Sequence, residues 1–310
     1  MRVAAVQLNS NGDKARNLTA AERLVRAAAA DGAELVALPE KWNLLASGEA
    51  TAAGAEPLDG PSLSAARAWA RELGIHLLAG SIAERGDGQG DEMGAGATSR
   101  RAFNTSVLIG PDGEDLAAYR KIHLFDVEAG GVEYRESEHE QPGSEIVSAP
   151  LGELELGLTV CYDLRFPELY RILAVRGAQL IAVPSAFTAA TGRDHWQALL
   201  RARAIENQVF VLAPNQVGEA PPHYSSYGRS AIVDPWGVVL ATAPDEECFV
   251  AAELDLAAQE GVREKLPSLA NRRPAAYVWP QLADPEPERR ERPYLIRRER
   301  SAGEVLGCFA

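Results

Sequence analysis

Apolar residues recur along this chain in short runs separated by longer stretches with a helical repeat. RVAAVQL at 2–8, ELVALP at 34–39, IHLLAGSIAE at 75–84 and TSVLIG at 105–110 are aliphatic runs that predict strands. ELGLTV at 155–160, QLIAVPS at 179–185, QVFVLAP at 208–214, SAIVDP at 230–235, GVVLAT at 237–242 and FVAAELD at 249–255 continue the series. A helix is predicted at 13–31, where Leu18, Ala21, Leu24, Val25 and Ala28 make one apolar stripe, and others at 62–73, 166–177 and 195–207. Such alternation marks an α/β fold. Roughly ten strands exceed what one compact sheet holds, so two sheets packed face to face, with helices on their outer faces, are expected.

Composition narrows the function classes. Among 310 residues, 31 basic against 44 acidic side chains give a formal charge of −13, a surface that repels nucleic acid and anionic lipid heads. No segment approaches the roughly 18 consecutive apolar residues of a membrane helix, and MRVAAVQLNS reads as a strand and not a signal peptide, so the expected location is cytoplasmic. Cys161, Cys248 and Cys308 are an odd set without close spacing, which argues against a disulfide framework and a zinc cluster. The glycine-rich, acidic stretch from Glu84 to Arg100 predicts an exposed loop. One large domain over 1–280 is expected, followed by a charged, proline-rich tail or dimer arm at 281–310.

The segment GLTVCYDLRFPELYR carries the most chemistry. An apolar strand runs into Cys161 and a helix begins near Phe166, with Pro167 in its first turn, so the thiol sits on a strand-to-helix elbow where backbone N–H groups favour a thiolate. A buried structural cysteine is the alternative. Glu40 follows the buried run ELVALP and could serve as the base and acid that thiol catalysis needs, or be a solvated loop acid. Lys121, in AAYRKIHLFD, is either snorkelling outward or held beside an anion. His123 and His195 read as orienting hydrogen-bond partners, Arg201, Arg203 and Glu206 as a helix-surface charge set, and Cys248 as core or edge packing.

LPEKWN, YRKIHLFD and LTVCYDLRFPELYR together resemble the three signature regions of the nitrilase, or carbon–nitrogen hydrolase, superfamily. The likeness extends from RVAAVQL to VREKLPSLANRRP and stops before the 281–310 tail. It implies an αββα sandwich of two mixed sheets and a Glu–Lys–Cys triad, here Glu40, Lys121 and Cys161, with a second glutamate at Glu136 in YRESEHE. It further implies that Lys121 and the Tyr162 backbone N–H hold an oxyanion, that no metal or organic cofactor is required, and that copies pair as a homodimer or higher oligomer. AFTAATGRDHW, LLRARAIENQVFV and SYGRSAIVDPWG most resemble the branch of omega-amidases and deaminated-glutathione amidases. That branch implies a small amide substrate of the dicarboxylate monoamide or α-keto acid amide type. Arg165 is then the cation for the distal carboxylate, or a structural partner of Asp163 or Glu168, and Phe187 and Thr191, on the following loop, line the same pocket. An N-carbamoyl-amine or nitrile hydrolase with the same triad, and a silent metabolite-binding scaffold, are the competing readings.

Overall fold

The structure, a computed structural model, describes residues 1–85, 101–220 and 224–277. Most of the expected glycine-rich loop, the 281–310 tail and Cys308 lie outside the described residues. Met1–Ala270 form one compact unit; Asn271–Ala310 form a second, whose described part contains a single 3₁₀ turn, Pro274–Ala276.

Two mixed sheets organise the first unit. One runs in spatial order Cys248–Glu253, Arg2–Gln7, Leu35–Ala37, His76–Leu78, Phe103–Ile109 and Ile82–Glu84, with Asp115–Arg120 paired to Phe103–Ile109. The other runs Val239–Thr242, Ala231–Val233, Phe210–Ala213, Leu180–Ala182, Leu154–Leu158 and Ser148–Leu151. Both follow one plan, a parallel centre flanked by antiparallel strands. Two hairpins, Asp126–Ala129 with Val132–Arg135 and Val217–Ala220 with Tyr224–Tyr227, stand outside the sheets.

Alternation along the strands builds the layers. Val3, Ala5, Leu35, Ala37 and Leu78 meet Leu156, Leu158, Leu180, Ala182 and Leu212 of the opposite sheet in one core. Their neighbours Ala4, Val6, Val36 and Leu77 turn the other way and pack on helices Lys14–Ala30 and Pro61–Leu73 through Leu24, Val25, Leu63 and Trp69. Helices Pro167–Val175 and Ala189–Asn207 cover the second sheet with Tyr170, Leu173, Trp196 and Leu200. A period-two strand buried on both faces produces this four-layer αββα arrangement. Asp13 starts the first helix by accepting from the Arg16 N–H, and Pro61 starts the second. No helix among the described residues is long and apolar enough to cross a membrane.

Three expectations change. The run 75–84 is two strands broken at Gly80, whose φ is +43° and whose missing Cβ would lie 2.0 Å from the Pro39 carbonyl oxygen. Only glycine allows this close approach, which presses the chain against the segment leading into Glu40. The last long helix begins at Ala189 and not near 195, so Thr191 lies in its first turn and His195 in its body. Arg203 is buried: its Nε and Nη2 donate to the Leu164 carbonyl at 3.0 and 2.8 Å, and its Nη1 pairs with Glu206.

Candidate active site

The predicted residues arrive at one place because each follows a strand. Glu40 comes three residues after Leu35–Ala37, and Lys121 directly after Asp115–Arg120, both from the first sheet. Cys161 follows Leu154–Leu158, and Ala186 follows Leu180–Ala182, both from the second. A crevice at the carboxyl ends of parallel strands is the usual place for a ligand in such sheets. Here it is a cavity of about 390 Å3 lined by Glu40, Lys121, Cys161 and Ala186 together with the aromatic side chains of Phe125, Tyr162 and Phe187.

Burial and pairing define the electrostatics. Glu40 is 3% exposed and Lys121 1%, so the solvated-acid and snorkelling readings do not apply. Lys121 Nζ donates to Glu40 Oε1 at 3.0 Å and to both oxygens of Glu136 at 3.0 and 2.8 Å. Burial works against the ammonium, but the neighbouring carboxylates of Glu136 and Glu40 outweigh it and hold Lys121 well above the ordinary lysine range. Glu136 also accepts from the Phe125 N–H at 2.7 Å, and despite burial the two lysines Lys121 and Lys41 hold its carboxyl well below the usual range.

Glu40 has each oxygen occupied. Oε1 accepts from Asn104 Nδ2 at 2.9 Å as well as from Lys121, and Oε2 accepts from the Ala186 N–H at 2.8 Å. Its own carbonyl is held by Gln216 Nε2 at 2.9 Å. The Cys161 thiol shares the cavity wall with Glu40, Lys121 and Ala186. Burial pushes the thiol well up, the Glu40 charge adds to this, and Lys121 opposes it. The elbow was expected to favour a thiolate; burial and the Glu40 charge work against the ionised sulfur here, while Lys121 and the Ala186 amide work for it.

The turn that carries Cys161 is held from below. Cys161 has φ +45° and opens the 3₁₀ turn Cys161–Arg165, with its N–H donating to Pro184 at 2.9 Å. Fully buried Asp163 accepts from the Val160 N–H at 2.8 Å, the Tyr119 hydroxyl at 2.7 Å and the His123 N–H at 3.2 Å, and contacts His123 Nδ1 at 2.7 Å. His123 in turn stacks on Phe166 with ring centroids 3.6 Å apart. This network ties the segment after Lys121 to the segment after Cys161. His123 is thus an orienting partner, and Asn104, Tyr119 and Asp163 are supporting residues that no local pattern announced.

Arg165 lines the cavity with Phe187 and Thr191. Asp163 is occupied elsewhere; the Arg165 guanidinium instead lies 5.0 Å from the Phe187 ring centroid and contacts His195 Nδ1 at 3.1 Å. Cys248 sits in the outermost strand of the first sheet. Lys41, at φ +52° immediately after Glu40, was not singled out, yet its Nζ lies 3.3 Å from Glu136 and 2.6 Å from Glu140.

Comparison with known proteins places this arrangement. The carbon–nitrogen hydrolase family matches residues 2–264. Omega-amidase NIT2 of Homo sapiens is 37% identical over 278 residues, 89% of this chain and 96% of that protein. The deaminated glutathione amidase of Synechocystis sp. is 39% identical over 272 residues, 87% of this chain and 97% of that one. Among solved structures, the C. elegans NitFhit protein superposes with a TM-score of 0.79 at 37% identity, covering 89% of this chain and 66% of that longer one. Family match, length of alignment and a shared sandwich agree, and the chain belongs to the carbon–nitrogen hydrolase family.

Proposed function

We propose that this chain hydrolyses a small carboxamide whose other end carries a carboxylate, through a thioester on Cys161 that releases ammonia. The observation that carries the reading is the gathering of buried Glu40, Lys121 and Cys161, from three separated segments, on the wall of one small cavity. A scaffold that had lost its chemistry would have no need to keep a buried thiol against a buried carboxylate, an arrangement that costs stability.

The chemistry follows from this grouping. Glu40 takes the Cys161 proton as sulfur attacks the amide carbon, so the charge moves to the substrate oxygen instead of resting on sulfur. Lys121 and the Tyr162 N–H, in the first turn of Cys161–Arg165 where helix amides lack internal partners, receive the oxyanion. The protonated Glu40 then gives its proton to the departing nitrogen. Water, deprotonated by Glu40 and oriented with help from Glu136, hydrolyses the thioester and restores the thiol. Arg165 meets the remote carboxylate, with Phe187 and Thr191 shaping the pocket around it. The relatives named as an omega-amidase and a deaminated-glutathione amidase support this substrate class.

A second copy of the chain is proposed to cover a patch where helix Ala189–Asn207 meets the turn between Ala231–Val233 and Val239–Thr242. Ile205, Trp236 and Val238 are exposed there, with Ile205 packed beside Gly237 and Arg201 Nε donating to the Gly237 carbonyl. Closed two-fold pairing is the commonest way to cover such a patch. Sedimentation of wild type beside Trp236→Glu tests it: a dimer that becomes a monomer is expected, and a wild-type monomer overturns it. For the reaction, ammonia release from succinamate-like and glutaramate-like acids, deaminated glutathione and a carbamoyl amino acid is measured for wild type and Cys161→Ala. Release from an amide acid that vanishes in the variant is expected; release unchanged in the variant, or from the carbamoyl compound alone, would reject the reading.

A further inference from the structure

Glu40, Lys121, Glu136, Lys41 and Glu140 form a chain of alternating charge, each in ion-pair contact with the next: 3.0 Å from Glu40 to Lys121, 2.8 Å to Glu136, 3.3 Å to Lys41 and 2.6 Å to Glu140. Three carboxylates face two ammonium groups, so the fully ionised row has one negative charge in excess. Solvent offsets little of that excess, because each member is largely buried and Glu140 is only 3% exposed. A buried, unbalanced charge is resolved by taking up a proton.

The two ends of the row differ in where a proton could go. At one end both oxygens of Glu40 are occupied by Lys121, Asn104 and the Ala186 amide. At the other, Glu140 Oε1 meets Lys41, while Oε2 is buried and has no hydrogen-bond partner among the described residues. A buried oxygen without a donor is where a carboxylate is least stabilised. Burial, reinforced by the Glu136 charge and opposed by Lys41 and Lys121, pushes the Glu140 carboxyl up to about 7. Lys41 and Glu140 both line the cavity.

We propose that Glu140 sets the enzyme's selectivity for charge: with its proton the buried row is neutral and the cavity accepts an amide bearing a carboxylate, and without it the added negative charge raises KM for anionic amides alone. The inference rests on the substrate class proposed above. Other charged groups face the same wall. His139 and Glu138 lie on the same segment, Arg101 reaches it through the Ser137 carbonyl, and Arg135 and Arg165 line the cavity. His139 is next to Glu140 in the chain, so the experiment must separate its effect from that of Glu140.

KM is measured between pH 6 and 8.5 for succinamate, anionic throughout, and for butyramide, neutral throughout, with wild type, Glu140→Gln and Glu140→Asp. One charge facing another across a partly solvated cavity is worth about a factor of ten in binding. Wild type is therefore expected to show a roughly tenfold rise in succinamate KM across the range and a flat KM for butyramide. Glu140→Gln should flatten the succinamate profile, and Glu140→Asp should keep the rise with a displaced midpoint. A flat wild-type profile, a rise shared by butyramide, or a rise that survives in Glu140→Gln overturns the proposal. Should Glu140→Gln fail to fold, the wild-type pair of profiles and the Glu140→Asp midpoint still decide it. Absence of turnover with either amide is a different result: it rejects the functional reading, and this inference with it.

Discussion

The two sheets supply the site with opposite kinds of chemistry. The segments around the first sheet contribute charges, Glu40, Lys121 and Lys41, which reach Glu136 and Glu140 in one unbroken row of ion pairs. The second contributes a buried thiol on a turn in positive φ, held by amide and carboxylate hydrogen bonds that converge on Asp163. Charges can be kept buried only in balance, whereas a strained turn can be kept only by over-determined hydrogen bonds. Each half therefore fails in its own way when one member is removed.

Removing the thiol breaks the comparison outright. Cys161→Ala is expected to lower kcat by a factor on the order of 10⁴ or more with little change in thermal stability, because the turn keeps its backbone bonds. Lys121→Met strikes the other half: it strands Glu40 and Glu136 as buried carboxylates, and should destabilise by about 3–5 kcal/mol as well as abolishing most turnover. Denaturant melts beside ammonia-release kinetics would show whether activity and stability part company in the first variant and fall together in the second. Equal stability losses in both would contradict the division.

Asp163→Asn sharpens the contrast at intermediate size. The side chain does not line the cavity, so substrate binding is not its task; it fixes Val160, Tyr119 and His123 around the Cys161 turn. Weakening charge-assisted bonds worth about 1.5–3 kcal/mol predicts a loss of roughly 10- to 100-fold in kcat with KM unchanged. A rise in KM with kcat preserved would show that Asp163 shapes the pocket and not the nucleophile.

What could be read in the sequence divides along the same lines. Glu40, Lys121 and Cys161 were each legible only as one of two alternatives, Glu40 and Cys161 at the ends of apolar runs; family resemblance joined the three. Two sheet strands escaped because neither shows an apolar alternation: DLAAYR at 115–120 is mostly exposed, and SAPL at 148–151 carries Pro150 on the outermost strand of its sheet. The start of the Ala189 helix escaped because AATGRDH has no apolar stripe. Arg203 reads locally as a surface cation, and only the tertiary fold places the Leu164 carbonyl against its guanidinium. Lys41 and Glu140 lie 99 positions apart in the chain, and nothing near either one announces the other.

The smallest expected effect concerns that distant pair and tests whether the charged half alone responds to pH. The Glu140 carboxyl, raised to about 7, binds its proton more tightly in the folded protein than in the unfolded chain, where an ordinary glutamate titrates near 4.5. Between those values the folded state holds more protons, so stability contributed by this group declines as pH rises from about 4.5 to 7. Glu136, held low, has the opposite sign: its contribution is present above the ordinary glutamate range and is lost as acid protonates it, so the two effects occupy different windows. Glu140→Gln removes only the first. Melting temperature measured from pH 5 to 8 should fall by about 2–4 °C more in wild type than in Glu140→Gln. Cys161→Ala, which leaves the row intact, should keep the wild-type slope. Parallel slopes in wild type and Glu140→Gln would mean that the proton resides elsewhere along the row, and that the charged half is balanced by a group other than the one with the unpartnered oxygen.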